Sequence, residues 1–293
     1  MGKEDGGPAP AAAASIRFHL PAPPLRGLIT SYYLIDSPGP LSECLHPEWG
    51  NIRFSLRGSW ELENFTGPDR PDPGSSLFGP TDRTRRFGTQ DGFMLGIGLT
   101  PLGWLKIVRR DAGPLANDYI ELDAMLGPTG DELAGRLAAC VDDAARCELL
   151  DELFTSLADG VHPDEAGAMD VHRALIDGSA ESIDDVIAAT GLSHRTLNRL
   201  CLRVFGFGPK RLLRRQRFLR TLTRIRDQLD QPIAAVIGAD YYDQAHFIRE
   251  FRAFMGMTPT AYFNSPREVM RRVAVERTRV VGAPVQALHG ALV

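Results

Sequence analysis

Seven side chains in the second half of the chain stand at spacings suited to reading base edges through hydrogen bonds. His194, Arg195, Asn198 and Arg199 fall in the first two turns of one expected helix, and Gln244, His246 and Arg249 fall in the matching stretch of another. Arginine can grip guanine O6 and N7 with two parallel donors. Asparagine or glutamine can do the same for adenine N6 and N7, each pair contributing about 1–3 kcal/mol of discrimination. Arg195 and then Asn198 are the first choices. Arg199 and Arg249 hold equivalent places and could equally serve a phosphate or a helix end, while His246 also suits a capping or packing role. Arg203, Lys210, Arg211, Arg214, Arg215 and Arg252 are expected on phosphate, where they add affinity and salt dependence but little sequence reading.

Charge is distributed to match. The whole chain of 293 residues carries a net charge of -4, which by itself argues against a polyanionic partner. Between Glu181 and Arg279, however, stand 18 basic and 10 acidic residues, against 15 basic and 27 acidic elsewhere. From Val186 through Arg226 there are eleven basic residues and no acid. Such a segment inside an acidic protein suits a polyanion, or else is simply a solvated basic face.

The elements that must carry these residues come from an internal repeat. Shifting the chain on itself by 50 residues places Ile183 on Ile233, Val186 on Val236, Ile187 on Ile237 and Ala189 on Ala239. The same shift places Leu197 on Phe247, Arg199 on Arg249, Gly206 on Gly256 and Pro209 on Pro259, an ungapped match of about thirty residues. A repeat of this kind marks a duplicated supersecondary unit. Each copy reads as helix, tight turn, helix. Ser182 and Asp185 form a capping-box pattern, Thr190-Gly191-Leu192 supplies a turn, Ser193 caps the second helix, and Gly206 stops it. In the second copy Pro232 precedes the first helix, and Asp243 caps a helix ending near Gly256. Between the copies, residues 208–230 read as one helix with a stripe of Leu212, Leu219, Leu222, Ile225 and Leu229 and several arginines on its other faces. Twenty helical residues span roughly 30 Å, close to the ~34 Å between successive major grooves on one side of B-DNA. One connector could therefore seat both second helices in adjacent grooves, over a non-palindromic site of about 20 base pairs.

The segment from Tyr241 to Tyr262, including Asp243, Ala245, Phe247, Arg249, Phe251, Gly256 and Pro259, resembles the signature of AraC/XylS-type transcriptional regulators, and Ser182 to Pro209 resembles that family's first helix-turn-helix. The resemblance covers about residues 169–263. It implies a sequence-specific, DNA-binding regulator with double-stranded DNA and RNA polymerase as partners, while the acidic, β-rich, metal-ligand-poor first domain leaves a small-molecule effector and a homodimer as open options. Three positions depart from the pattern. Asp240 stands where the family usually has Gly, and as a residue tolerant of positive φ it is expected to keep the turn. Cys201 replaces an aromatic matched by Phe251 in the second copy, and Phe263 stands where a basic residue is common. A weaker resemblance links Leu45–Gly50 and Gly79–Thr81 to a β-rich domain often fused to such regulators.

The expected fold class is α+β: a β-rich domain (cupin-like barrel or sandwich), a helical connector, and an all-α domain with two helix-turn-helix units. The expected divisions are a leader at 1–15, a β-rich sensing or dimerisation domain at 16–125, a helical connector at 126–163, the DNA-binding domain at 164–265 and a tail at 266–293. Period-two alternation of Ile52, Phe54 and Leu56, and of Phe93, Leu95, Ile97 and Leu99 opposite Gly92, Gly96 and Gly98, supports strands. Leu133, Leu137, Cys140, Ala144, Cys147, Leu150, Phe154 and Leu157 suggest one long amphipathic helix. Tyr32, Tyr33, Trp49, Trp60 and Trp104 could line an effector pocket or be plain core. Val280 to Val293 are expected to fray.

Other functions fare worse. No run is apolar enough for a membrane span, and the Gly/Pro/Ala-rich start lacks a secretion-signal pattern, so a cytoplasmic location is expected. The four cysteines, Cys44, Cys140, Cys147 and Cys201, form no C-x-x-C pair, which disfavours zinc and disulfides. In the β-rich segment only His19 and His46 could serve a cupin metal. No nucleophile elbow or dinucleotide fingerprint is present, so neither catalysis nor a cofactor is expected. The open alternatives are a helical repeat that binds protein, or a small-molecule-binding protein that reads no DNA.

Overall fold

The computed structural model describes residues 14–65, 70–71, 74–127, 129–228, 230–238, 240–265 and 267–290. All of the expected leader except residues 14 and 15 lies outside these, as do Leu229 of the connector stripe and Ala239 of the repeat.

Alternating side chains build one antiparallel sheet of eight strands: β1 (Ser15–His19), β2 (Ile29–Ser37), β3 (Leu41–Leu45), β4 (Asn51–Leu62), β5 (Arg70–Pro71), β6 (Ser75–Phe78), β7 (Arg85–Leu99) and β8 (Tyr119–Glu121). The order is β1-β2-β7-β4-β6-β8, with β3 also on β7 and β5 on β4. Register on β7 places Leu34 and Phe54 opposite Leu95, and Tyr32 and Ile52 opposite Ile97. Because alternate residues point to opposite faces, these residues share one buried face, while Tyr33, Ile35, Asn51 and Arg53 share the other. Gly96 is required on that second face: a Cβ there would lie 2.0 Å from the ring of Tyr33.

The first face is covered by helix α1 (Pro101–Gly103) running into a π turn (Trp104–Val108), by α2 (Asp123–Leu126), and by α3 (Thr129–Ala139) and α4 (Asp143–Leu157). Leu133, Leu137, Leu150 and Phe154 join Ile52, Phe54 and Leu95 in a single core, so the segment expected as a connector belongs to the sheet. The expected single long helix is two. Asp142 breaks it in extended conformation and caps α4, accepting from Ala145 N at 2.9 Å. The 3.6-residue phase survives across the break, which is why the pattern looked continuous. Cys140 and Cys147 consequently stand on different segments, and all four cysteines are free.

The helical half comprises α5 (Glu165–Ile176), α6 (Ile183–Thr190), α7 (His194–Leu200) prolonged by a π turn (Cys201–Phe205), α8 (Pro209–Asp227), α9 (Ile233–Ile237), α10 (Gln244–Met255), α11 (Pro259–Asn264) and α12 (Glu268–Val281). The expected fraying after Val280 is overturned as far as Gly290. Ala283, Val285, Gln286, Ala287 and His289 are buried. Gln286 Nε2 donates to the carbonyls of Gly50 and Leu99, each at 3.1 Å, and its Oε1 accepts from Asn51 at 3.1 Å. Gln216 of α8 donates to the Ala287 carbonyl at 2.6 Å. The last segment thus ties the sheet's second face to the connector helix.

Candidate nucleic-acid interface

Local chemistry sets both helix-turn-helix units. Ser182 and Asp185 form the full capping box on α6, and Gly191 ends that helix at φ 67°. Ser193 accepts from Thr196 N at 3.2 Å to start α7, and Gly206 at φ 79° ends its π turn. In the second unit Asp243 accepts from His246 N at 2.6 Å and Gly256 at φ 69° ends α10. Asp240 keeps the turn as expected, its N donating to the Ile237 carbonyl at 3.0 Å. It also holds that turn to α8, accepting from Thr221 Oγ1 and pairing with Arg224.

The base-reading candidates sit where solvent reaches them. His194, Arg195, Asn198 and Arg199 are exposed on α7, and Gln244 and Arg249 are exposed on α10. Leu197 and Leu200, or Phe247 and Phe251, anchor the opposite sides. His194 lies 3.4 Å from Asp184, both largely exposed. His246 is half-buried, its ring edge against Tyr241 at 5.2 Å. Arg195, Arg199, Arg249, Lys210 and Arg252 make no ion pair among the described residues.

The expected phosphate set divides sharply. Lys210 and Arg252 are exposed. Arg203 is held by Asp164 at 2.5 Å and by His162 at 3.1 Å. Arg211 pairs with the buried Asp82, and Arg214 and Arg217 share the buried carboxylate of Glu250 at 2.7 and 3.0 Å. The surrounding arginines hold that carboxyl below the usual range against the opposing effect of burial. Arg215 is a correction. It is fully buried, its guanidinium 3.8 Å from the Trp49 ring, donating to the carbonyl of Thr81 at 2.9 Å and of Glu48 at 3.4 Å. Burial pulls its pKa down to about 9. A cation packed between an indole and two carbonyls has no path to a phosphate.

Sequence reasoning missed Glu250, Asp82 and Trp49 as partners of the basic helix. One signal existed: the 50-residue shift puts Glu250 on Leu200, an acid in an apolar register.

The expected aromatic pocket is not assembled either. Tyr32 and Trp104 belong to the core of the first face, Trp60 stacks on Phe87 at 5.9 Å, and Trp49 lies under Arg215. Of these five, Tyr33 lines a partly open cavity between the sheet's second face and α12. Three histidines bracket the contact between halves. His46 bonds the Tyr262 hydroxyl at 2.8 Å, His172 packs edge-on to Trp49 at 5.7 Å, and His289 is buried just after the last turn. Burial pushes their pKa values down to about 4, 3 and 4 respectively. Among the described residues no three His, Cys, Asp or Glu side chains cluster as metal ligands, and no helix is long and apolar enough to cross a membrane.

Residues 186–265 match a family model described as a helix-turn-helix domain. Among curated proteins nothing matches. Among solved structures, fatty acid-bound ToxT from Vibrio cholerae is similar over 86% of this chain and 95% of its own, at 10% identity and TM-score 0.45. The AraC-like transcriptional activator CuxR is similar over 71% and 86%, at 14% identity and TM-score 0.26. A mannose-6-phosphate isomerase-like protein from Ralstonia eutropha matches 32% of this chain and 92% of its own, at 14% identity and TM-score 0.25.

Proposed function

We propose that this chain, whose residues 186–265 match a helix-turn-helix domain, is a sequence-specific transcription regulator of the AraC type that lays α7 and α10 into adjacent major grooves. The observation that carries this is the coincidence of register and exposure. The two duplicated helices present Arg195, Asn198 and Arg199, and Gln244 and Arg249, to solvent from the same side of each unit's core. The 19 residues of α8 give a spacer of roughly 28 Å at 1.5 Å per residue. Lys210, Arg199 and Arg252 supply phosphate contacts first, and Arg203, Arg211 and Arg214 join only by exchanging a carboxylate for a phosphate. In this reading the chain is no enzyme, works in the cytoplasm, engages RNA polymerase once seated, and is controlled through its β-rich half, alone or as a homodimer.

Selection from a random duplex library should return a non-palindromic site of about 20 base pairs. Arg195→Ala should relax preference at one position by about 1–3 kcal/mol. Arg252→Ala should weaken all sequences alike and lower the slope of log affinity against log salt by about 1. A mobility shift with no salt dependence would rule the reading out.

A further inference from the structure

The sheet's second face is roofed by α12 and residues 283–287, and a cavity of about 70 Å³ lies between roof and sheet. Its charges do not balance. Arg53 is satisfied: it pairs with Glu48 and donates from Nε to the Tyr33 hydroxyl at 2.8 Å. His46, also on the wall, is neutral near pH 7. Arg277, reaching in from α12, is only 5% exposed, and its Nη1 reaches Ser31 Oγ at 3.3 Å. Its Nε and Nη2 find no partner among the described residues. One guanidinium therefore lines the cavity without an ion pair of its own, its buried Nε–Nη2 edge left unbonded. Two buried donors left unpaired are costly, and that edge is the one whose parallel N–H groups match a carboxylate. The rest of the wall is mostly apolar, with Phe18, Ile35, Val273 and Val285 prominent, and its polar members Glu48, Asn51 and Gln286 are bonded within the protein.

We propose that this cavity binds a small monocarboxylate with a short aliphatic body, its carboxylate taken by the Nε–Nη2 edge of Arg277 and its hydrocarbon seated against Phe18, Ile35 and Val273. The charge follows from a single uncompensated cation. The size follows from the volume, since each water needs about 10–15 Å³ by this measure, leaving room for roughly five or six heavy atoms. The apolar wall selects against inorganic phosphate, whose remaining oxygens would be buried unpaired. The roof also reaches the connector helix through the bond from Gln216 to the Ala287 carbonyl, so a ligand there bears on α8. This names the effector class for the regulator proposed above and rests on that reading for its role, whereas the binding step stands apart from DNA.

The full chain is titrated calorimetrically with sodium butyrate, butyramide, butylammonium and inorganic phosphate, in chloride buffer. Butyrate should bind one to one with Kd near or below about 1 mM, and the other three at least about tenfold more weakly. Arg277→Gln should weaken butyrate by about tenfold or more. Because that variant removes a buried group, Val273→Phe serves as the second: it fills the cavity, keeps Arg277, and should abolish binding while melting no lower than the parent. Equal affinity for butyramide or phosphate, undiminished binding in either variant, or no butyrate binding would each overturn the proposal. Mobility shifts on the selected DNA, run without butyrate, fail or succeed independently, so loss of the regulator reading and loss of this site are told apart.

Discussion

The two helix-turn-helix units share a register and differ in what fills it. Cap meets cap, Ser193 against Asp243, and stop meets stop, Gly206 against Gly256. Inside, the first unit packs Leu197, Leu200, Cys201 and Val204, while the equivalent places of the second hold Phe247, Glu250, Phe251 and Phe254. Phe251 alone meets the rings of Phe218, Phe247, Tyr262 and Phe263. The second unit closes over an aromatic cluster and a buried carboxylate. The first is smaller inside, and both lean on the β-rich half: Ala112 N donates to the Arg203 carbonyl and Thr84 N to the Phe254 carbonyl, each at 2.7 Å, and Trp49 meets Phe205 edge-on at 5.6 Å. Duplication has kept the backbone grammar while letting each core find its own filling.

Acid should have the largest effect, and it should treat the units alike, because each leans on a neutral buried histidine: His172 beside the first, His46 bonded to Tyr262 beside the second. Their folded pKa values, with that of His289, lie below the ~6.5 of an unfolded chain. The unfolded state therefore binds more protons as pH falls. Stability is complete above about pH 6.5 and declines toward pH 4 and 3, by up to about 1.4 kcal/mol per pH unit for each histidine. Denaturant titrations at pH 7, 6 and 5 check this, and a flat profile would remove the histidines from the account.

Next in size is a contrast between equivalent positions. Phe251→Ala should lower stability by about 3–5 kcal/mol, whereas Cys201→Ala removes a group comparable to one methylene and should cost about 1 kcal/mol. Similar losses would mean the two cores are filled alike after all. The smallest effect concerns Glu250. Replacing it with Leu, the residue its counterpart already has, removes a buried carboxylate whose two arginine partners can rehydrate. The stability change should stay within about 1–2 kcal/mol. Freed Arg214 and Arg217 should steepen the salt dependence of DNA binding by about one to two phosphate contacts. An unchanged slope would show that neither arginine approaches the backbone.

Caps, turns and stops were legible because each depends on residues three or four apart: Ser182 with Asp185, Ser193 with Thr196, Gly206 at the end of its own helix. The exposure of six of the seven base-reading candidates followed from the same spacing, with His246 half-buried. Partners far apart in sequence were not legible. Arg215 looks like any other basic residue on a helix face, and only the fold reveals Trp49 and the carbonyls of Glu48 and Thr81 beneath it. The closing segment was misjudged because Ala283, Val285 and Ala287 are small and follow no helical period. The break at Asp142 hid because the apolar phase resumes beyond it. The unbonded edge of the buried Arg277 has no sequence signature at all.

The seat of Arg215 bears on how freely the halves of such a chain can be recombined. A chimera that grafted α5 to α11 onto another β-rich domain would have to offer an aromatic face and two carbonyls at the same spot, or leave a guanidinium stranded in the seam. The helical half is therefore fitted to its own companion, and transplanting it calls for moving Trp49 and its neighbours along with it.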